Sequence, residues 1–400
     1  MNYLSNRINS LSESETLAMT QKSRELKAQG HDVINLSIGE PDFNTPEFIK
    51  TAAKEAIDQN FTHYPPVPGY PELREAICKK LKRDNNLDYT FDQIVVSTGA
   101  KHSIANVMLA LVNPGDEVIV PAPYWVSYKE IVKLAEGTAV YLPSSIKTNF
   151  KVSPEQVEAA ITEKSKVFIF SSPCNPSGTV YTKDELKAFA DVFARYPNIF
   201  IISDEIYEYI NFVSKHESIA QFEEIKDRVI VINGVSKGYA MTGWRIGYIA
   251  APKVIAKACD KMQGQFTSGA CSIAQRAALA ALLMDPKDSP EFACMLAAFK
   301  QRRDLLLDLL KEVPGIITNS PEGAFYVFMD VKHYFGKTDG TVTIENAEQL
   351  SMYLLDKVYV ALVSGTAFGD NDCLRFSYAT SNDKIIEAVK RLKSALGNLH

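Results

Sequence analysis

An α/β fold with a largely parallel sheet, joined to a smaller α+β domain, is what this chain predicts, and three observations predict it. From about Gln93, short runs that are apolar at every position alternate with helical patterns. Such runs read as strands buried on both faces, as in sheets covered by helices on each side. After Pro286 the pattern changes to a charged helical stretch followed by isolated strand-like segments, and 400 residues exceed what one small core accommodates.

Taken in order, IVVST (94–98) precedes a helical pattern to Val112, EVIVP (117–121) precedes one at 126–134, and KVFIFSS (166–172) leads to one at 183–195. FIISDE, VIVING and GYIAA follow as further buried strands, and 254–284 reads as one long helix or two consecutive ones. Beyond Pro286 a helix over 291–312 leads to the strand AFYVFMDV, a helix over 347–357, the strand CLRFSY and an amphipathic helix over 383–396. The first 49 residues are too few to fold alone and are expected to join this second unit. The expected division is therefore a large domain over 50–285 and a small one built from 1–49 with 286–400. No internal repeat or low-complexity segment is evident.

Composition narrows the class of function. Hydrophobic residues make up 46% and charged ones 23%, an ordinary globular balance. With 43 basic and 48 acidic residues the net charge is -5, so no basic excess points to nucleic acid or an anionic membrane. The six cysteines are scattered without a C-x-x-C pair, which argues against a disulfide framework and a zinc site. The N-terminal residues hold no apolar run of signal-peptide length, and the longest later run, 277–284, is far short of a membrane span. A cytoplasmic protein acting on a small molecule is expected.

The chemistry concentrates at the ends of the expected strands, where open α/β sheets bind ligands. VINGVSKGYAMTGWRIGY (231–248) places Lys237 in a tight turn between two apolar strands, with Arg245 close behind. A lysine there is a salt-bridged structural residue or a nucleophile of lowered pKa. In SDEIY, Asp204 ends a strand and Tyr207 follows; this reads as a helix cap beside a core tyrosine, or as a carboxylate holding a proton on a ring nitrogen. Asn175 sits in SSPCNPSG between Pro173 and Pro176, a turn whose stiff amide can donate to a ligand. In STGAK, Gly99, Ala100 and Lys101 open a helix whose amides can face phosphate, although many such helix starts bind nothing. Trp125 follows the strand in PAPYWVSY; it is a core residue or a face for a flat ring.

Singly, each motif has a plain structural reading. Together they supply an amine for a carbonyl, a carboxylate for a ring nitrogen, donors for a phenolic oxygen, and cations with amides for a phosphate. Pyridoxal 5′-phosphate needs all four.

The motifs LSIGEPDFNTP, HYPPVPGYPELREAI, STGAK, PAPYWVSY, SSPCNPSG, SDEIYE, VSKGYAMTGWRIGY, EGAFYVFMD and LRFSYATS occur in this order, within a match that runs from about Leu36 to Leu396. With them the chain resembles the class I aminotransferases of fold type I, and among these the bacterial-type aspartate aminotransferases. The resemblance implies a mostly parallel seven-stranded sheet between helices and a homodimer with shared active sites. It implies that Lys237 forms the Schiff base with the cofactor and shuttles the substrate proton, that Asp204 holds the pyridinium proton, and that Asn175 and Tyr207 bond the phenolic oxygen while Trp125 stacks on the ring. Arg245, Ser236 and the amides of Gly99, Ala100 and Lys101 would bind the phosphate, with Tyr64 reaching in from a second subunit. Arg375 would clamp the substrate α-carboxylate with Asn175 and the Gly39 backbone, Trp125 would line the same site, and Lys101 would take the distal carboxylate of a dicarboxylic substrate. Thr267 and Ser268 fall where relatives contribute a hydroxyl across the dimer interface.

Two departures stand out. Gly234 replaces a serine that relatives use for the phosphate, and Ser12 aligns with a basic residue of relatives that transaminate prephenate, which weighs against that substrate. The expected reaction is transfer of the amino group of L-aspartate to 2-oxoglutarate by a ping-pong route. Its rivals are an aromatic or broad-range aminotransferase and a carbon–sulfur lyase using the same cofactor. A cofactor-sensing transcription regulator would need a DNA-binding module ahead of LSIGEPDF, where no basic recognition helix is found, and a nucleotide-binding protein would need a Walker or Rossmann loop.

Overall fold

The apolar runs become strands of one seven-stranded sheet in the computed structural model, which describes residues 3–13, 15–213 and 215–400. Across the sheet the strands lie in the order Ile94–Ser97, Gly247–Ala250, Val229–Gly234, Phe200–Asp204, Ser165–Ser171, Glu117–Pro121 and Thr138–Leu142. Only Gly247–Ala250 runs against its neighbours; the other pairings are parallel. The edge strand Thr138–Leu142 is absent from the sequence reading: its apolar run, 139–142, is only four residues long, and at the sheet edge only Leu142 is fully buried.

The strands Val229–Gly234 and Gly247–Ala250 are buried at every position and Phe200–Asp204 at all but Phe200, as their apolar runs require. On one face, Phe168 packs against Phe189 and Phe193 of the helix Lys183–Ala194, with ring centroids 5.8 and 5.0 Å away. Burying each such ring contributes roughly 1.5–3 kcal/mol. That helix starts where it does because Thr182 and Glu185 form a reciprocal capping box. On the other face, Ile104, Val107 and Met108 of the helix Ala100–Leu111 join Val95, Val118 and Ile249. The segment read as one or two helices resolves into two, Lys253–Phe266 and Ser272–Leu283.

A second, four-stranded antiparallel sheet follows the order Val363–Ser364, Cys373–Ser377, Tyr326–Asp330, Ile317–Thr318. Helices Pro290–Leu310, Ala347–Val358 and Asn382–Gly397 share a core with it. The N-terminal segment joins this core: Ile34–Asn35 pairs in parallel with Val360–Ala361, and Leu36 is buried there.

Strand register decides what meets at the carboxyl edge of the large sheet. Ser171 lies opposite Asp204, Asp204 opposite Ile232, and Gly247 opposite both Gly234 and Ser97. The turns bearing Asn175, Asp204, Lys237 and the start of the helix Ala100–Leu111 therefore emerge side by side. The register Phe328↔Arg375 places Arg375 mid-strand in the smaller sheet, which closes the other side of the cleft.

Candidate active site

A cavity of about 260 Å³ opens where the two sheets face each other. Of the residues singled out above, it is lined by Gly39, Ala100, Lys101, Trp125, Asn175, Asp204, Tyr207, Ser236, Lys237, Arg245 and Arg375. Three others lie elsewhere. Tyr64 is 92% exposed and outside the cavity, and Thr267 and Ser268 are exposed at the end of the helix Lys253–Phe266.

Lys237 is not in a tight turn: residues 235–246 form a longer loop containing the 3-10 turn Thr242–Trp244. Its Nζ donates to the carbonyl of Gly39. Burial pushes its pKa down to about 8, with Arg245 and Arg375 adding to the effect and Glu40 and Asp204 opposing it. Such an amine is largely neutral just above that pH, where an exposed lysine is still an ammonium ion. Capture of an aldehyde by the empty enzyme should therefore accelerate as pH rises through about 8 and then level off, since only the neutral amine attacks. Stopped-flow absorbance across the range decides this; a rate still climbing steeply near pH 10 would mean an ordinary lysine.

Asp204 ends its strand with the carboxylate buried. Oδ2 accepts from the Tyr128 hydroxyl at 2.6 Å and Oδ1 from the Ile206 N–H at 3.3 Å. Burial pushes its pKa up to about 6, and those two hydrogen bonds work against the rise. Asp204 is thus ionised above that value and remains a site for a positive partner.

Arg375 is 2% exposed. Its Nη1 donates to Asn175 Oδ1 at 2.9 Å and its Nη2 to the Ser37 carbonyl at 2.6 Å, while its buried Nε has no hydrogen-bond partner. The rings of Tyr326 and Phe368 flank the guanidinium, 4.5 and 4.8 Å from it. A buried cation hydrogen-bonded only to neutral oxygens, with a donor in reserve, is built to receive an anion.

The second anion site forms at the helix start. Gly99 has φ of 85°, and a β-carbon there would sit 2.2 Å from Arg245 Nη2, so glycine alone lets that guanidinium lie over the helix terminus. Arg245 itself takes a left-handed φ of 58°, a conformation that costs energy outside glycine and collects at functional sites. The first-turn amides of Ala100 and Lys101 have no acceptor within the helix. The Gly99 N–H, expected to join them, is instead donated to Ser97; Gly99 contributes space, not a donor. Lys101 is exposed at the cleft mouth with its Nζ 5.0 Å from the Trp125 ring centroid, and the surrounding walls and Arg245 together lower its pKa. Four cations and one carboxylate, Asp204, line this cavity, an imbalance suited to a phosphate and to carboxylates.

Tyr207 hydrogen-bonds the Tyr326 hydroxyl at 2.8 Å, a contact across the two sheets. Tyr326, Tyr128, Thr16 and Leu17 also line the cavity and were not singled out from the sequence. Tyr128 and Tyr326 lie inside the motifs PAPYWVSY and EGAFYVFMD but were not assigned a role there.

Comparison with known proteins agrees with this geometry. The family described as "Aminotransferase class I and II" matches residues 31–392. The chain is 49% identical to the Petunia hybrida bifunctional aspartate aminotransferase and glutamate/aspartate-prephenate aminotransferase, over 98% of this chain and 82% of the relative. It is 47% identical to the aspartate/prephenate aminotransferase of Cereibacter sphaeroides, over 100% of both chains. The crystal structure of an aspartate aminotransferase from Rhizobium meliloti superposes with a TM-score of 0.95 at 39% identity, covering 100% of both chains. The fold, the cleft and the run of motifs place this chain in the class I and II aminotransferase family.

Proposed function

We propose that the protein transfers the amino group of L-aspartate to 2-oxoglutarate, giving oxaloacetate and L-glutamate in two half-reactions. The observation that carries the reading is the buried, low-pKa amine of Lys237 set between the Asp204 carboxylate and the open fork of Arg375. Class I aminotransferases of this kind use pyridoxal 5′-phosphate, and the cleft has the donor set for it: the space over Gly99, the free first-turn amides, and Asp204 for the ring nitrogen. When bound, that cofactor supplies an electron sink for the bonds at the amino-acid Cα.

The chain's own residues do the rest. Lys237 Nζ anchors the cofactor and, once free, accepts the α proton of the substrate. Asp204 keeps the ring nitrogen protonated. Arg245, Ser236 and the amides of Ala100 and Lys101 hold the phosphate, while Trp125 covers the ring face. Asn175 and Tyr207 direct hydrogen bonds to the phenolic oxygen. Arg375, backed by Asn175 and Ser37, receives the α-carboxylate beside Gly39 as a bidentate pair, which fixes the Cα proton toward Lys237. The small domain, 1–49 with 286–400, carries Arg375 and caps the substrate site on the large domain, 50–285.

The pairing of subunits belongs to the same reading. Tyr64 is a bare tyrosine that its own cavity does not use, which supports a homodimer in which it completes the partner's phosphate site. No helix among the described residues is long and apolar enough to cross a membrane, and cytoplasmic residence fits the reduced, scattered cysteines.

The aspartate assignment rests on Lys101. The test is a set of half-reactions in which the loaded enzyme meets L-aspartate or L-phenylalanine, and the aminated enzyme meets 2-oxoglutarate or prephenate. Fast, saturable conversion is expected with aspartate and 2-oxoglutarate. Phenylalanine should be slow, and so should prephenate, because Ser12 is exposed, gives only a backbone N–H to Glu130, and offers no cation. Equal or faster conversion of phenylalanine would replace the dicarboxylate reading with an aromatic one. Lys101→Ala should lower kcat/KM for aspartate by roughly 10- to 100-fold, the worth of one partly exposed charge contact, and leave that for alanine nearly unchanged. A parallel fall for both substrates would place Lys101 at the phosphate instead.

A further inference from the structure

Tyr128 takes no part in the reaction as outlined, yet its whole environment leads to Asp204. It sits in the first turn of the helix Ser127–Leu134, three residues after Trp125, and is 1% exposed. Its ring meets the Trp125 ring edge-on at 5.5 Å between centroids, interplanar angle 86°. Its hydroxyl donates at 2.6 Å to Asp204 Oδ2, across 76 residues of sequence, with the Ser171 side chain as a second partner on the neighbouring strand. A buried tyrosine hydroxyl requires a partner, and a buried carboxylate requires donors to stay ionised.

We propose that Tyr128 is a positioning residue for the reaction, holding Asp204 in its ionised form and in the rotamer that faces the cofactor ring. The reasoning is one of competing effects. Burial drives the Asp204 carboxyl toward its neutral form, and Glu205 beside it in the chain pushes the same way. Against this stand the Tyr128 hydroxyl, the Ile206 amide and the Lys237 charge. Tyr207 and Cys174 also face the carboxylate, both as neutral groups held so by burial. Of the donors, Tyr128 is the one side chain that can be removed without touching the backbone or the reactive amine. It also ties Trp125 and Asp204, expected on the face and at the nitrogen of the same ring, through one helix turn.

The inference rests on the assignment of Asp204 to the ring nitrogen, so the test begins with the enzyme free of cofactor. In Tyr128→Phe, the Asp204 carboxyl pKa, followed by carbon-13 NMR of labelled aspartate and assigned with Asp204→Asn, should rise from about 6 by roughly one to two units. In the loaded enzyme the pH titration of the cofactor absorbance should shift, and kcat should fall about tenfold with KM for aspartate changed less. Added to Asp204→Asn, Tyr128→Phe should have no further effect on that titration. An Asp204 pKa within a few tenths of the parent would overturn the proposal, as would an equal spectral shift in both backgrounds. A shifted apoenzyme pKa with unaltered transamination would leave the hydrogen bond standing but overturn the positioning role in the reaction. Near-ultraviolet circular dichroism on both variants separates these results from loss of packing.

Discussion

Lys237→Ala is expected to reduce transamination by roughly 10⁴-fold or more, because it removes both the group that anchors the cofactor and the base that moves the substrate proton. The two roles fail together, so the loss exceeds the 10²–10⁴ typical of a general base alone. The absorbance of lysine-bound cofactor should vanish as well, while the fold persists: among the described residues the Lys237 side chain makes one hydrogen bond, to the Gly39 carbonyl, and distant contacts with the Tyr207 and Phe325 rings at 5.8 and 6.0 Å. The measurements are single-turnover kinetics and the spectrum of the purified variant. Turnover at the parental rate would remove the aminotransferase mechanism from this cleft.

Arg375→Ala is the second large effect. Its guanidinium is buried with one nitrogen unpaired, so a substrate carboxylate meets a cation already stripped of water. Losing one member of such a pair costs about 2–5 kcal/mol, equivalent to roughly 30- to several-thousand-fold in kcat/KM. The effect should extend to every amino acid, since all share the α-carboxylate, and this distinguishes Arg375 from Lys101. Arg375→Lys keeps the charge but loses the fork held by Asn175 and Ser37, and should fall between the two. Steady-state kinetics with aspartate and alanine check both points; a loss confined to aspartate would transfer the α-carboxylate to another residue.

The motifs were legible for a physical reason: the chain must turn at the carboxyl edge of each parallel strand, and glycine, proline and asparagine mark those turns. Asn175, Asp204, Lys237, Arg245 and the Gly99–Lys101 helix start were found this way, and the structure gathers them around one cavity. Tyr128 and Tyr326 were not, because a tyrosine has the same local signature whether it fills a core or turns its hydroxyl toward a ligand. Ser37 was hidden for a different reason. It serves Arg375 through its backbone carbonyl, which leaves no mark on residue type.

The sequence by itself determined the class of fold, the set of reactive side chains and the cofactor chemistry they suit, since these follow from periodicity, turn residues and functional groups. Tertiary structure decided which hydrogen bonds those groups make and how their protons are held. Arg375 meets Asn175 200 positions away and Ser37 338 positions away. The lowered pKa of Lys237 and the raised one of Asp204 come first from burial. Desolvation belongs to the packed surroundings of a group, and those surroundings exist only once two sheets have closed on the cleft.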